Sequence, residues 1–391
     1  MGCGGLTSGR FPITCSFTKL REEFEFSCSV IIGEALITAS SAAEKTSISK
    51  LETKAKSFAE VCSTHTPQLF HQAAERAAQL LRAGQVVALP TETVYGLAAN
   101  ALNAEAVGRI FKIKGRPASN PIIVHVTGEK MARRCVSDWP PLAEKLARAF
   151  WPGPLTLVLP RAHDIPDIVT AGGATVGVRW PSHPFIQEVI ELCGFPLAAP
   201  SANLSNQLSP TNAEHVQKHL GDKIPLIVDG GQCQVGLEST VLDLSVSPPR
   251  LLRAGMIHES ALVAVVGKLN VGHGEKPAVL KSPGLLDKHY SPKARLVVLE
   301  WRDDADLKAQ SSRFAEPLSR IHIISHTRIP SGEGFGRVSV IPHDAAAFAR
   351  AIYAELHQCD DAGAGLIIVE ALPPTDEWRA IADRLRRAAA G

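Results

Sequence analysis

From Thr66 onwards, stretches with apolar residues at helical spacing alternate with short, continuous apolar runs that are typical of buried strands. Thr66 and Pro67 place a capping residue before a proline at the first helical position, and apolar residues then recur at helical spacing up to Gly84. The short apolar run over 86–89, closed by a proline, predicts a buried strand. The same alternation predicts helices over 105–112, 142–150, 185–193 and 213–220 and strands over 122–126, 155–159, 175–178, 197–199, 226–228 and 240–244. Strands and helices mixed in this way predict one α/β domain, which we place at residues 67–266.

A change in composition separates this domain from the end of the chain. Residues 267–293 are rich in Gly, Lys, Pro and His, which predicts a linker. After the linker, the pattern predicts strands over 296–299, 321–324 and 366–369 and helices over 345–356 and 377–387. These elements predict a second, smaller β/α domain of the open-sheet type at residues 294–391.

Residues 1–66 lack clear hydrophobic periodicity and hold four of the eight cysteines of the chain. Residues 1–21 contain three cations and no acidic residue, which is typical of an organelle transit peptide, but acidic residues begin at Glu22. We therefore favour a disordered extension or an overlong gene start over a transit peptide.

Composition and charge exclude several classes of protein. The 41 Lys and Arg residues nearly balance 39 Asp and Glu residues, so a globally basic nucleic-acid coat is excluded. No apolar stretch approaches the roughly 20 residues needed to cross a bilayer, which excludes an integral membrane protein. The eight cysteines include no C-x-x-C pair, so they predict free thiols in a reducing compartment, and we expect a cytoplasmic protein.

The candidate chemistry lies in polar segments at the ends of apolar strands, where open α/β sheets bind ligands. These segments span 90–97, 112–121, 199–211 and 236–240. One of them has a cation at every second position at the end of a predicted helix, namely Lys112, Lys114 and Arg116. The three cations either complement the helix dipole or clamp a polyphosphate, and the cluster alone does not decide between these roles. The chain contains no P-loop pattern, so a nucleotide would be held by other means.

A pair of histidines also has the spacing of metal ligands. His215 and His219 stand four residues apart on a predicted helix. No glutamate follows the first histidine and no third ligand is in view, so we favour a solvated helix face over a zinc site.

Eight motifs follow one another along the chain: PTETVYGL, KxRPxxNPIIVH, WPGPLT, VRxPxHP, APSANxS, SPT, EST and SPG with HYSP. In this order they resemble the threonylcarbamoyl-AMP synthase family, in its long form with a YrdC-like catalytic domain and a smaller C-terminal domain. The resemblance covers about residues 67–391 and is strongest over 84–255. It implies an α/β fold in which a YrdC-like twisted mixed sheet, with helices around a central cavity, is joined to a small Rossmann-like β/α domain.

The resemblance also implies an enzyme. A nucleotidyltransferase of this family converts L-threonine, bicarbonate or carbon dioxide, and ATP into L-threonylcarbamoyl-AMP and pyrophosphate. The product supplies the tRNA threonylcarbamoyl-transfer machinery, which modifies the adenosine next to the anticodon of certain tRNAs. Mg²⁺ is expected to arrive with the ATP phosphates rather than at a dedicated protein site. The rival hypothesis is a non-catalytic module that binds double-stranded RNA or tRNA, because the catalytic fold is associated with RNA binding.

The family motifs assign roles to particular residues of this chain. Lys114 and Arg116 match the family's K-x-R pair and are expected to hold bicarbonate or carbamate against the phosphates. Threonine is expected to contact Thr93, His125, Arg179, Ala199 and Ser239, with Arg179 pairing with the substrate carboxylate. ATP is expected to contact Arg116, Asn120, Thr175, Ser201, Ser209, Arg253 and Tyr290, the last as part of a lid formed by the linker.

Two segments depart from the family pattern. Ala254 and Gly255 follow Arg253 where family members usually have Pro and Gly, and residues 285–287 differ from the usual Met and basic residues. A second rival, a carbamoyl-transfer role in hydrogenase maturation, would bring C-x-x-C zinc-finger arrays, which this chain lacks.

Overall fold

The computed structural model describes residues 58–271, 280–284 and 290–390. Most of the predicted extension, two parts of the linker and the departure at 285–287 therefore lie outside the described residues. Everything below concerns the described residues.

The first domain contains ten strands and eight helices among the described residues. The strands are β1 (Glu60–Ser63), β2 (Val87–Leu89), β3 (Gly96–Asn100), β4 (Val124–His125), β5 (Leu155–Pro160), β6 (Thr175–Arg179), β7 (Leu197–Ala198), β8 (Leu226–Asp229), β9 (Thr240–Asp243) and β10 (Arg250–Arg253). The helices are α1 (Pro67–Arg82), α2 (Ala104–Lys114), α3 (Glu129–Cys135), α4 (Pro141–Phe150), α5 (Asp167–Thr170), α6 (Pro184–Cys193), α7 (Ala213–Leu220) and α8 (Glu259–Val266).

The ten strands form one mixed sheet in the order β1-β8-β2-β3-β7-β4-β6-β5-β9-β10. Alternate residues of β2 enter different apolar clusters, because side chains alternate between the faces of a strand. Val87 and Leu89 pack with buried residues of α1 and α6, whereas Ala88 belongs to the cluster of the opposite face. Burying both faces in this way gives the short, continuously apolar strands that the sequence shows.

The second domain is a parallel open sheet. Its strands β11 (Arg295–Leu299), β12 (Ile321–Ser325), β13 (Arg337–Val340) and β14 (Leu366–Glu370) lie in the order β11-β14-β12-β13. Its helices are α9 (Asp304–Ser311), α10 (Ala345–Asp361) and α11 (Arg379–Ala389). One apolar cluster joins Phe348 and Trp378 of this domain to Val94 and Leu237 of the first domain. The two sheets are therefore held together by a shared core, and the predicted α/β fold class with a smaller second domain is confirmed.

Strand β1 lies inside the region expected to be a disordered extension. It pairs in parallel with β8, with Glu60 opposite Leu226 and Ser63 opposite Asp229. The expectation of disorder is thus wrong for residues 60–63. The sequence EVCS contains no apolar run, and half of its side chains are exposed. The strand therefore depends on its main-chain pairing with β8.

The expected solvated face of helix α7 is also wrong for His215. Its side chain is buried, and its ring stacks on that of His357 from α10 with centroids 3.8 Å apart. The neighbour that covers His215 comes from the second domain, so the local sequence could not show it. No group of three or more His, Cys, Asp or Glu side chains in the described part of the chain is arranged to hold a metal ion.

Candidate active site

The ends of several strands surround a cavity in the first domain. Strands β4 and β6 end side by side, because His125 pairs in register with Arg179. The loop after β2 brings Thr93, and the segment before β9 brings Ser239. The cavity is lined by Thr91, Thr93, Val94, Gly96, Arg116, Ile123, His125, Arg179, Ala199, Pro200, Ser201, Glu238, Ser239, Arg253, Pro283 and Tyr290. This set mixes apolar walls with a few convergent polar groups, as small-molecule sites do.

The structure brings most of the predicted site residues to this one cavity. Nine of them line it: Thr93, Arg116, His125, Arg179, Ala199, Ser201, Ser239, Arg253 and Tyr290. They come from motifs that are separated by up to about 200 residues in the chain, so their convergence is a property of the fold.

The other four predicted residues lie elsewhere. Lys114 donates hydrogen bonds to the carbonyl oxygens of Ser201, at 2.6 Å, and of Asn203, so its ammonium supports the cavity wall from behind. The side chain of Asn120 holds Arg116, and the Ser209 hydroxyl donates to Glu238. Thr175 lines a neighbouring, smaller cavity together with Ser282 and Pro283. Direct contact of these four with substrate stays a prediction.

Arg179, a predicted threonine contact that lines the cavity, is held in place by two neighbours. Its Nη1 donates to the Thr93 hydroxyl at 3.0 Å, and its Nη2 lies 2.6 Å from Glu92 Oε1. Both members of the ion pair are buried. Burial by itself raises the pKa of Glu92, but the charge of Arg179, together with hydrogen bonds from Arg179 and from the main chain of Ser182, lowers the pKa below its ordinary value. Sequence reasoning missed Glu92, although the residue lies inside the quoted motif PTETVYGL.

His125 is a neutral imidazole in this environment. Burial and the nearby charge of Arg179 lower its pKa well below the ordinary value. Its Nδ1 atom has no hydrogen-bond partner among the described residues, although the side chain is buried. Buried polar atoms are normally satisfied, so this atom indicates a place where a ligand or a water completes the site.

Two further guanidinium groups are buried at the cavity. Arg116 donates to the main-chain oxygens of Asn120 and Pro121 and to the side-chain oxygen of Asn120. Arg253 donates to Ser239, through both its carbonyl and hydroxyl oxygens, and to the Pro283 carbonyl. Burial lowers the pKa of Arg116 to about 9 and also lowers that of Arg253. The hydrogen-bond acceptors of both groups in the described part of the chain are neutral oxygens, so their charges can serve an anionic ligand.

Part of the linker closes one side of the cavity. Tyr290 is buried and adopts a left-handed backbone with φ of 63°, which is uncommon for an aromatic residue. Gly284, with φ of 81°, lies so close that a Cβ there would be 2.5 Å from the Tyr290 hydroxyl. The glycine of the SPG motif is therefore required both by its backbone conformation and by space.

Sequence reasoning also missed Glu238 as a member of the site. Its carboxylate lies at the cavity wall and accepts from Ser209 and from Arg384, which belongs to helix α11 of the second domain. The residue stands next to Ser239 in the EST motif, so it was visible, but its partner is 146 residues away in the chain.

Fold and site together define a two-domain α/β protein whose first domain holds a cavity lined by the buried side chains of Arg116, Arg179 and Arg253. The family model described as telomere recombination, for Sua5, YciO and YrdC proteins, matches residues 79–255. The model described as the C-terminal domain of threonylcarbamoyl-AMP synthase matches residues 255–390. The chain belongs to the threonylcarbamoyl-AMP synthase family, which confirms the resemblance inferred from its motifs.

Individual relatives agree over nearly their whole length. A threonylcarbamoyl-AMP synthase of Pyrococcus abyssi is 39% identical over 318 residues, which are 80% of this chain and 92% of that protein. One of Bacillus subtilis is 40% identical over 342 residues, covering 84% of this chain and 95% of that protein. A crystal structure of P. abyssi Sua5 complexed with L-threonine superposes with a TM-score of 0.77 at 36% identity, covering 84% of this chain and 96% of that one.

The helices and the cysteines bear on the expectations of no membrane span and of free thiols. None of the helices in the described ranges is long and apolar enough to span a membrane. The five cysteines in those ranges, Cys62, Cys135, Cys193, Cys233 and Cys359, are free thiols, as expected from their spacing.

Proposed function

We propose that this chain is an L-threonylcarbamoyladenylate synthase, a nucleotidyltransferase that forms threonylcarbamoyl-AMP and pyrophosphate from L-threonine, bicarbonate or carbon dioxide, and ATP. The observation that carries the proposal is the pair of buried guanidinium groups, Arg116 and Arg253, whose acceptors are neutral oxygens. Guanidinium groups whose hydrogen bonds go to neutral oxygens keep their charge available for a ligand, so the site suits an anionic ligand such as a polyphosphate.

Other residues that line the cavity suit an amino acid. We propose that Arg179 and the Thr93 hydroxyl receive the threonine carboxylate, with Glu92 fixing the orientation of the guanidinium. The neutral His125 offers its unpartnered Nδ1 to a polar hydrogen of the substrate. A P. abyssi relative bound to L-threonine supports this assignment.

The proposed reaction has two bond-forming steps. The threonine amine, after losing its proton, attacks the carbon of carbon dioxide, or of bicarbonate with loss of water, and gives a carbamate. A carbamate oxygen then attacks the α-phosphorus of ATP, and the bond from that phosphorus to the pyrophosphate oxygen breaks. Among the described residues, the carboxylates nearest the cavity, Glu92 and Glu238, are held in ion pairs and are therefore poor general bases. Catalysis would rest on positioning and on stabilising negative charge with Arg116 and Arg253.

Mg²⁺ remains part of the proposal. Of the described residues, the carboxylates of Glu92 and Glu238, at or beside the cavity, are already engaged with arginines, so they offer little to a metal ion. The residues therefore fit an ion carried mainly by the ATP phosphates, where it would offset their charge.

A direct assay tests the function. The protein is incubated with ATP, Mg²⁺, bicarbonate and threonine, and threonylcarbamoyl-AMP is sought by mass spectrometry while pyrophosphate is measured. We expect pyrophosphate release to require threonine and bicarbonate together. Arg116→Ala should reduce release at least 100-fold, because a charge-assisted contact in the reaction site is lost. Arg148→Ala is the matched control, since Arg148 lies on exposed helix surface with a side chain 77% accessible.

The same assay separates the rival hypothesis. A non-catalytic RNA-binding module would bind double-stranded RNA and release no pyrophosphate under any combination of substrates. Folded protein that yields no threonylcarbamoyl-AMP would therefore count against the proposal. Hand-over of the product to tRNA threonylcarbamoyl-transfer machinery, direct RNA binding and a cytoplasmic location are proposed on the strength of the family alone.

A further inference from the structure

Helix α11 of the second domain carries an arginine, Arg384, that contacts residues of the cavity wall. Arg384 Nε donates to Glu238 Oε2 at 2.8 Å, and the two side chains are 2% and 8% exposed. The same guanidinium donates to the Ala254 carbonyl at 2.9 Å and lies 5.3 Å from the centre of the Tyr290 ring. Arg384 thus contacts three parts of the site without lining the cavity itself.

Glu238 is held from both domains. Ser209 donates to its Oε1 at 2.6 Å, and the Tyr353 hydroxyl, on helix α10, lies 3.4 and 3.3 Å from its two oxygens. Burial by itself raises the pKa of Glu238, but the charges of Arg384 and Arg253 lower it below the ordinary value. Glu238 is therefore ionised, and it is a negative charge at the wall of a cavity that suits an anionic ligand.

The role of Arg384 follows from this charge arrangement. An uncompensated carboxylate at the wall would repel phosphate oxygens and would attract Arg253, whose own acceptors are the neutral oxygens of Ser239 and Pro283. Arg384 supplies a full positive charge to Glu238 in the same buried region. Arg253 is then left for the ligand.

We propose that Arg384 is a positioning residue for ATP binding, which acts by neutralising Glu238 so that Arg253 can bind the phosphates. In this way the second domain becomes part of the catalytic site through an ion pair. The inference rests on the proposed function in so far as ATP is the anionic ligand.

The test compares ATP affinity, measured by calorimetry, in the full-length protein and its variants. Arg384→Met should weaken ATP binding by about 100-fold, since breaking a buried ion pair leaves a charge without a partner. Arg384→Met combined with Glu238→Gln should recover most of the affinity, because the amide keeps an acceptor for Ser209 but carries no charge. Arg386→Ala, on the same helix with a side chain 60% exposed, should bind ATP like the wild type.

A pH series adds a readout that a purely structural role would not move. In Arg384→Met the buried carboxyl of Glu238 has lost its main counter-charge, so its pKa should rise. The affinity of that variant for ATP should then recover as the pH falls from 8 to 6. Around Glu238 the groups that remain are Arg253, Tyr290, Tyr353 and, on the helix of Arg384, Asp383, which keeps Arg387 as its partner.

The outcomes are distinct. Unchanged ATP affinity in folded Arg384→Met overturns this proposal. So does an equal, pH-independent loss in the single and double variants, which would show a structural role only. If Arg384→Met does not fold, Arg384→Gln, which also removes the charge but stays polar, replaces it, and failure of Glu238→Gln to improve its ATP affinity overturns the proposal. A wild type that binds ATP but makes no threonylcarbamoyl-AMP overturns the proposed function alone, whereas one that binds no ATP overturns both.

Discussion

The stacked histidines between the two domains predict an acid-sensitive fold. Thr211 donates its main-chain N–H to His215 Nδ1 at 3.3 Å, so a proton on that nitrogen would face another donor. Burial lowers the pKa of His215 to about 4 and that of His357 to about 3. Histidine in an unfolded chain titrates near 6.5. Between pH 6.5 and these lowered values, the unfolded chain binds protons that the folded protein does not, and stability falls as the pH falls.

The magnitude follows from the size of that window. Between pH 6.5 and pH 5.0, about 1.5 pH units, each histidine should lower the free energy of unfolding by about 1.4 kcal/mol per unit. The difference between pH 7.5 and pH 5.0 is therefore about 2 kcal/mol for each histidine. Urea unfolding at both pH values, followed by tryptophan fluorescence, measures this difference. His357→Gln should shrink it by about 2 kcal/mol relative to the wild type.

The control for this experiment is His163→Gln, because His163 is fully exposed and its replacement should leave the difference unchanged. Each variant is compared with itself at the two pH values, so the loss of the ring stack in His357→Gln cancels. A difference in His357→Gln as large as that of the wild type would refute the reasoning.

Three further predictions concern the site and the sheet edge. Gly284→Ala places a methyl group 2.5 Å from the Tyr290 hydroxyl, at a residue with a backbone φ of 81°. ATP affinity, measured by calorimetry, should therefore fall at least 10-fold. Unchanged affinity would contradict the predicted lid contact. Lys114→Met removes the hydrogen bonds that support the 201–203 loop. The variant should therefore lose thermal stability and turnover together. Loss of turnover with an unchanged melting temperature would instead favour direct contact of Lys114 with substrate. Deleting residues 1–65 rather than 1–57 removes strand β1 but keeps Thr66, the N-cap of helix α1. The larger deletion should lower the free energy of unfolding by roughly 2–4 kcal/mol, about 1 kcal/mol for each ladder hydrogen bond, and equal stability of the two deletions would contradict this.

Sequence patterns predicted the strongly apolar elements well and the weak ones poorly. Helix α1 and strand β5 were found because capping, periodicity and apolar runs are local properties. Strand β3 was missed because GLAAN has no β-branched or aromatic side chain, and it is a strand only because β2 and β7 pair with it on either side. Strand β1, with the sequence EVCS, was missed because it has no apolar run and forms only by pairing with β8.

The chain by itself was enough to predict residues that meet at one place, since nine of the residues chosen from its motifs line one cavity. It did not determine which charges are compensated. The ion pairs of Arg179 with Glu92 and of Arg384 with Glu238 depend on distances across the fold, and the second pair joins two domains. Only the tertiary structure shows that Arg116 and Arg253 keep neutral acceptors, and that Lys114 supports the wall from behind. Motifs specify side chains, but the interaction of buried charges depends on separation and burial, which folding alone sets.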